Sequence, residues 1–202
     1  MAHTVVTGNT YDKYGSTNPV VRRLMAGFEG ALDDLFAQAD PQSLLDVGCG
    51  EGILTHRWAT RLGPERRVVG IDLEDAGLRA DWAQRTAPNL EFRAQPAEHL
   101  PFADGEFDVA TAIEVLEHVP DPEHTLAEMA RVAQRHLLVS VPREPVWRMT
   151  NVARGAYLRA GGNTPGHVNH WSRRRFARMV ERHGTVGAAR APFPWTMLLV
   201  QL

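Results

Sequence analysis

Three glycines spaced two residues apart form the stretch of this sequence best suited to binding a ligand. Gly48, Gly50 and Gly52 follow the largely apolar run 44–47, which also contains Asp46. A helical pattern over 53–62 comes directly after them. Glycine permits turns with positive φ and lets a ligand approach the main chain without a Cβ in the way. The first N–H groups of the following helix can donate to an anionic group. The stretch therefore predicts a strand, a tight turn and a helix start that together cradle a nucleotide-like ligand.

The spacing of these glycines excludes two common nucleotide-binding motifs. A dinucleotide fingerprint needs its third glycine where this chain has Ile53, and no Gly-Lys-Ser/Thr follows to make a P-loop. An acidic residue, Asp72, follows the next apolar run, 24 residues after Gly48. An acidic side chain at the end of a second strand can accept hydrogen bonds from both hydroxyls of a ribose. The alternative for Asp72 is a cap for the helix expected over 76–85.

Three histidines could carry protons at the same site, because the pKa of imidazole lies near neutrality. His118 follows the apolar run 107–113, and His167 and His170 flank Asn169 in a later loop. The alternative for His118 is a structural hydrogen bond that orients its loop, and for the other two it is local structure. Two histidines three residues apart also invite a metal site, but no neighbouring carboxylate or cysteine completes one in the sequence, and we expect no metal.

Apolar runs, together with the glycines and prolines that interrupt them, predict the strands and helices that position these residues. Strands alternate with helices, which is typical of an α/β fold: a Rossmann-like doubly wound sheet of seven strands, with helices on both faces. We expect strands at 43–47, 67–71, 90–94, 107–113, 136–141, 185–190 and 196–202. We expect helices at 19–39, 52–62 and 76–85, a helix beginning at Asp121–Pro122, and a last helix capped by Ser172 and running to His183.

Composition narrows the class of protein. The chain has 202 residues, 44% of them hydrophobic and 23% charged, which predicts a single globular domain over 1–202. The net charge of −2 gives no general attraction to a phosphate backbone, so we expect no nucleic-acid partner. No apolar run approaches membrane-spanning length and no signal peptide is evident, which favours a cytoplasmic location. The one cysteine, Cys49, excludes an internal disulfide, and the oligomeric state is left open.

Several of these stretches, in order, resemble the class I S-adenosylmethionine (SAM)-dependent methyltransferases. Residues 44–52, Leu-Leu-Asp-Val-Gly-Cys-Gly-Glu-Gly, look like the first motif of that class. Residues 95–102 are similar to its Gly-Asp-Ala-Glu-x-Leu-Pro-Phe loop, and 114–119 contain its Val-Leu-Glu-His-Val segment. Within the class, the chain looks most like the ubiquinone/menaquinone-biosynthesis-like (methyltransferase type 11) group. The resemblance has specific motifs over about 40–142 and implies SAM as cofactor, S-adenosylhomocysteine (SAH) as product and a C-terminal antiparallel hairpin.

The resemblance also implies which residues contact the cofactor. The glycine turn suits the amino-acid tail and the sugar, Asp72 suits the ribose, and Leu73 lines the adenine pocket. A tyrosine-containing N-terminal segment, within 1–39, is expected to act as a lid. Pro96 stands where the family has an aspartate that accepts from adenine, so that contact must come from elsewhere in the loop. The expected cofactor-binding residues are Tyr14, Asp46, Gly48, Cys49, Gly50, Asp72, Leu73, Ala97, Glu98 and Glu114.

Residues 143–171 depart from the strand–helix alternation, and we expect them to form an insertion that roofs the substrate pocket. The main hypothesis is methyl transfer from SAM to an oxygen, nitrogen or carbon of a small-molecule acceptor, with His118, His167 and His170 as candidate bases or substrate contacts. One alternative is a SAM-binding protein that transfers no methyl group. Another is a lipid- or quinone-modifying enzyme that docks peripherally on a membrane through the basic amphipathic segment 146–159, without inserting stably.

Overall fold

A seven-stranded sheet organises the computed structural model, which describes residues 17–153 and 155–202. The strand order is β3-β2-β1-β4-β5-β7-β6, and β7 is antiparallel to both of its neighbours while the other pairs are parallel. The predicted doubly wound sheet with an antiparallel C-terminal hairpin is therefore confirmed. The strands are β1 Ser43–Val47, β2 Arg67–Asp72, β3 Leu90–Ala94, β4 Phe107–Ile113, β5 Ala133–Pro142, β6 Thr185–Arg190 and β7 Trp195–Gln201.

Six α-helices accompany the sheet in the described part of the chain. Asn18 caps the first of them, with Pro19 in its first turn, and Asp121 and Ser172 cap two others through side-chain oxygens. The helices are α1 Pro19–Ala39, α2 Ile53–Leu62, α3 Ala76–Gln84, α4 Pro122–Val132, α5 Val146–Ala153 and α6 Arg173–Val180. None of them combines the length and the apolar character needed to cross a bilayer.

Two hydrophobic cores lie on opposite faces of the sheet, because alternate residues of a strand point to opposite sides. Leu44 and Val68 pack with α1 and α2 on one face, whereas their neighbours Leu45 and Val69 pack with α4 and α6 on the other. Both central strands, β1 and β4, are buried almost throughout. The sheet is thus a rigid platform whose strand ends can hold a site in a fixed geometry.

The two ends of the predicted insertion, residues 143–171, are joined to each other. The Glu144 N–H donates to the carbonyl of Trp171 over 2.9 Å, and Arg143 forms a β-bridge with Trp171. Between these ends the chain forms α5 and a 3₁₀ turn, Leu158–Ala160. Asn169 then joins the insertion to the turn after β4, since its side-chain amide donates to the carbonyls of Leu116 and Val119 over 3.1 and 2.7 Å. We call residues 143–171 the cap.

Two predicted boundaries differ from the structure by three residues, and the remaining differences are of one residue. Strand β5 begins at Ala133 and ends at Pro142, longer than the expected 136–141, because its last residues pair with β7 as far as the Pro142–Trp195 register. Helix α6 ends at Val180 and not at His183, because the chain forms a turn there in which the His183 N–H donates to the Val180 carbonyl over 3.0 Å. Tyr14 and the rest of the proposed lid lie outside the described residues.

Candidate functional site

The glycine turn after β1 needs its glycines for two different reasons. Gly48 and Gly50 have φ of +71° and +53°, in the left-handed region that favours glycine. A Cβ on Gly48 would lie 2.5 Å from Cγ2 of Val115, so this position lets the turn after β4 approach β1 closely. A Cβ on Gly50 would meet no atom within 4 Å. The turn therefore presents an open backbone surface at Gly50 and a packed one at Gly48.

Asp72 faces this turn from the end of β2. One carboxylate oxygen accepts from the Gly50 N–H and the other from the Leu73 N–H, each over 2.7 Å. Burial raises the pKa of Asp72, and the two backbone donors act against that rise. Each carboxylate oxygen keeps a second lone pair that can accept from a hydroxyl of a ligand. The carboxylate therefore faces the glycine turn, while its contact with a ribose stays a prediction.

Asp46 lies beneath the turn and is buried. Its two carboxylate oxygens accept from the hydroxyls of Thr55 in α2, over 2.6 Å, and Thr111 in β4, over 2.7 Å. Burial raises the pKa of Asp46 to about 6, although both hydroxyls lower it. Burial, with the carboxylates of Asp46 and Asp72 nearby, also raises the pKa of the Cys49 thiol well above its usual range. Asp46 thus ties three elements together under the site, and the Cys49 thiol stays protonated, while its contact with the cofactor stays a prediction.

The loop after β3 runs beside the end of β2, where the adenine pocket was predicted. The Gln95 N–H donates to the Asp72 carbonyl over 2.7 Å, which joins the two loops. Leu73, Ala97 and Glu98 are half-buried on these loops, and Ala97 packs against the core below. The carbonyl of Glu98 lies 2.9 Å from Nε2 of His124. The structure therefore brings these three residues to the same edge as Asp72, while their contacts with adenine stay predictions.

Glu114 directly follows β4 and has a constrained backbone conformation. Its φ of +61° is uncommon for a residue other than glycine and is found where the surroundings fix the backbone, often at functional sites. The Ser140 hydroxyl donates to Oε1 of Glu114 over 2.8 Å, and the Glu114 N–H donates to the Ser140 carbonyl over 3.2 Å. Ser140 thus holds the Glu114 carboxylate at the carboxyl edge of the sheet, where such folds bind ligands.

The structure brings two of the three candidate histidines together and leaves the third apart. The rings of His118 and His167 meet edge to face with centroids 4.8 Å apart, and Nδ1 of His118 lies 3.0 Å from the Gly166 carbonyl. His170 is exposed, and its Nε2 lies 2.7 Å from Oδ1 of Asn163. His170 is therefore outside the pair that the structure assembles.

Glu117 completes this group, and our sequence analysis did not single it out. One carboxylate oxygen of Glu117 and one ring nitrogen each of His118 and His167 all lie within 4.8 Å of one another. Glu117 is only 1% exposed, and its backbone carbonyl accepts from the N–H groups of Val168 and Asn169. Glu117 stands in the Val-Leu-Glu-His-Val segment of the sequence. Its burial could not be seen there, because residues of the cap contact it from about 50 positions away. We call Glu117, His118 and His167 the His–Glu cluster.

Comparison with known proteins shows similarity to methyltransferases. Residues 45–137 match the family model of a methyltransferase domain. The chain is 43% identical over 94 residues to the ubiquinone biosynthesis O-methyltransferase of Hahella chejuensis, a stretch that covers 45% of this chain and 38% of that protein. It is 33% identical over 147 residues to the enzyme of the same name from Methylococcus capsulatus, covering 64% of this chain and 60% of that protein. This part of the chain is therefore similar to the class I SAM-dependent methyltransferases. The chain spans less than two thirds of the length of these relatives.

Solved structures of this class share the fold at low sequence identity. Magnesium protoporphyrin IX methyltransferase from Synechocystis, solved with bound SAH, matches with a TM-score of 0.65 and 17% identity over 93% of this chain and 89% of that one. The Burkholderia thailandensis 1,6-didemethyltoxoflavin-N1-methyltransferase, also solved with SAH, matches with a TM-score of 0.66 and 19% identity over 87% and 78%. SAM is the cofactor of this family.

Proposed function

We propose that this chain transfers a methyl group from SAM to an oxygen atom of a small molecule. The observation that carries the proposal is the position of Asp72, whose carboxylate faces the glycine turn with one oxygen 2.7 Å from the Gly50 nitrogen. A ribose held there would place the rest of the nucleoside along the carboxyl edge of the sheet. The family match supports SAM as the nucleoside, and the names of the two curated relatives support oxygen as the acceptor atom.

The residues of the site fit this cofactor. The space around Gly50 admits a ligand to the main chain, since no atom lies within 4 Å of the position a Cβ would occupy. Glu114 presents a carboxylate to the same edge, and Leu73, Ala97 and Glu98 lie on the loops where adenine would be held. When bound, the cofactor supplies a methyl group already activated by a positively charged sulfur. The protein's own contribution is therefore alignment of the acceptor and exclusion of water.

The cap supports a small-molecule acceptor over a macromolecule. Trp147 lies inside it, with its ring 6.0 Å from the ring of His167 and its Nε1–H donating to Oγ1 of Thr164 over 2.9 Å. Asn151 is buried and donates to the Gly162 carbonyl over 2.8 Å. A cap held by such contacts forms a fixed wall above the sheet edge, which suits an acceptor small enough to be enclosed.

The proposal is tested by binding and product formation together. Calorimetry with SAH measures the cofactor site, and mass spectrometry after incubation with methyl-labelled SAM and a panel of phenols, quinols and hydroxy acids detects transfer. Asp72→Asn replaces an acceptor oxygen by an NH₂ group, and we expect it to weaken SAH binding about 10- to 100-fold. Asp75→Asn is the matched control, because asparagine caps α3 as well as aspartate does and should leave the affinity unchanged.

Two results would contradict the proposal in different ways. Equal SAH affinity in parent and Asp72→Asn would remove Asp72 from the ribose site. Tight SAH binding with no labelled product from the panel or from a metabolite extract would favour a SAM-binding protein that transfers no methyl group.

A further inference from the structure

Gly50 has less packing around it than the other two glycines of the turn. Its φ is +53°, and a Cβ at this position would meet no atom within 4 Å. Glycine also has more backbone freedom than any other residue, so packing alone does not keep Gly50 in one conformation. An open glycine at the proposed cofactor cradle therefore depends on hydrogen bonds from other elements to keep its shape.

Two hydrogen bonds hold Gly50, and both come from the segment 67–84, which forms β2 and α3. The Gly50 N–H donates to Asp72 at the end of β2 over 2.7 Å, and the Gly50 carbonyl accepts from Nε1–H of Trp82 in α3 over 2.8 Å. Because the C=O and N–H of a trans peptide unit point in opposite directions, the bond from Trp82 also fixes the direction of the Glu51 N–H. Asp72 and Trp82 thus hold the two sides of one glycine.

Trp82 is itself held by aromatic packing. It is 7% exposed, and its ring stacks on that of Phe92 in β3 with centroids 5.4 Å and planes 7° apart. Phe92 occupies space that two glycines leave open, since a Cβ on Gly52 would lie 2.5 Å from its ring and one on Gly70 would lie 2.8 Å from it. The third glycine of the turn therefore admits the aromatic pair that aims the indole N–H at the Gly50 carbonyl.

We propose that Trp82 is a positioning residue of the cofactor site, which holds the Gly50–Glu51 peptide in the orientation that the cofactor binds. The inference rests on the proposed function and adds the element that shapes the cradle before the cofactor arrives. Without the indole donor, this peptide can rotate and reverse the directions of the Gly50 carbonyl and the Glu51 N–H. Cofactor binding must then also order the turn, which lowers the affinity.

The chain offers a matched control for Trp82. Trp82→Phe removes the indole donor and keeps an aromatic ring against Phe92. Trp58→Phe makes the same change in a second stacked pair, with Phe36 at a centroid distance of 4.9 Å. There the buried Trp58 Nε1–H has no hydrogen-bond partner in the part of the chain that the structure describes. The two variants lose the same atoms, so a difference in cofactor binding reports the bond from Trp82 to Gly50.

Calorimetry with SAH is the first readout. We expect Trp82→Phe to weaken SAH binding about 10-fold, and Trp58→Phe to change it by less than about twofold. Trp82→β-(3-benzothienyl)alanine keeps the shape of tryptophan and replaces its N–H by sulfur. This variant should weaken binding as much as Trp82→Phe does, and it tests the same bond if phenylalanine destabilises the fold.

Methyl transfer separates positioning from catalysis once an acceptor is found. The KM for SAM should rise in Trp82→Phe, whereas kcat at saturating SAM should stay that of the parent, because bound cofactor orders the turn. Trp82 packs on β3, and β1 and β2 separate that strand from β4 and the turn that carries His118 of the His–Glu cluster. A substitution there should therefore leave the acceptor side unchanged.

Hydrogen exchange in the ligand-free protein is the third readout, and it needs no cofactor. The Gly50 and Gly52 amides should exchange at least about 10-fold faster in Trp82→Phe than in the parent or in Trp58→Phe, because the turn opens more often. The amides of β1 should exchange as in the parent. A purely structural role of Trp82 would instead speed exchange in the strands and the turn together.

Three outcomes would overturn the inference. One is parent-like SAH affinity in folded Trp82→Phe and in the benzothienyl variant, and another is an equal loss of affinity in Trp58→Phe. The third is unchanged exchange at Gly50 and Gly52. Failure of the parent to bind SAH would count against the proposed function, and the exchange rates would still decide whether Trp82 holds the turn, so the two failures are distinguishable.

Discussion

The cofactor edge and the cap are built in different ways. At the cofactor edge, main-chain groups and short turns do most of the positioning. The Gly50 and Leu73 N–H groups hold Asp72, and each of these three residues ends a strand or follows one within three positions. In the cap, side chains reach across about 50 residues, as Asn169 does to Leu116 and Val119. The comparison indicates that strand ends and the main chain of short turns position the cofactor half, with the Asp46–Thr111 contact beneath them, whereas the acceptor half depends on side-chain contacts between distant segments.

Of the substitutions that test this comparison, we expect those in the glycine turn to change stability most. Gly48→Ala forces a side chain into the left-handed region and against Val115, so we expect the free energy of unfolding to fall by about 2–5 kcal/mol. Gly50→Ala has the same kind of φ but open space, and should cost only about 1–2 kcal/mol. Urea unfolding followed by circular dichroism measures both.

The two glycine variants should separate stability from binding. Because the methyl group of Gly50→Ala would occupy the ligand-facing space, we expect its SAH affinity to fall at least tenfold, about 1.4 kcal/mol. Adding Val115→Ala to Gly48→Ala should restore part of the lost stability by relieving the contact. A Gly48→Ala protein as stable as Gly50→Ala would show that the close approach of the two turns is unimportant.

Sequence patterns predicted the cofactor half well because the signals there are local. Strands β1 and β4 were predicted with the observed boundaries, since each is a largely apolar run followed by a glycine or an acidic residue. The orientation of Asp72 followed from its place at the end of β2. The cap has no such periodicity, and the pairing of His118 with His167 follows from hydrogen bonds between segments about 50 residues apart. For that reason Glu117 was missed and His170 was grouped with His167.

A pH-dependent effect of intermediate size is expected at Asp46. Its pKa in the folded protein is about 6, above the value of 3.8 for an unburied carboxyl, so the folded state binds the proton more tightly. The free energy of unfolding should therefore decrease as the pH rises from about 4 to about 6, by up to about 3 kcal/mol from this group. Asp46→Asn stays neutral, so the difference in stability between variant and parent should change over this window in favour of the variant.

The control for Asp46 is an exposed carboxylate whose replacement by asparagine is well tolerated. Asp40 fits, because it caps α1 in the left-handed conformation that asparagine also adopts readily, and its side chain is 67% exposed. Asp40→Asn removes only an exposed ion pair with Arg66, so its stability should stay within about 1 kcal/mol of the parent in thermal or urea unfolding. A constant difference between Asp46→Asn and the parent from pH 4 to pH 7 would mean that the carboxylate beneath the glycine turn does not titrate in this range.

The smallest expected effect is the loss of one of two asparagines: Asn169 fastens the cap, and Asn89 lies at the opposite, amino edge of the sheet and serves as the control. Asn169 donates to two carbonyls of the turn after β4, and Asn89 donates to the carbonyls of Ala59, Gly63 and Arg66 over 2.8–3.0 Å. We expect alanine at either position to cost about 1–2 kcal/mol of stability, because buried carbonyls lose their donors. Both variants should keep their SAH affinity, but only Asn169→Ala should raise KM for the acceptor, since it loosens the cap. If Asn89→Ala raised that KM as much, acceptor binding would follow the overall stability of the fold and the separate role of the cap would fail.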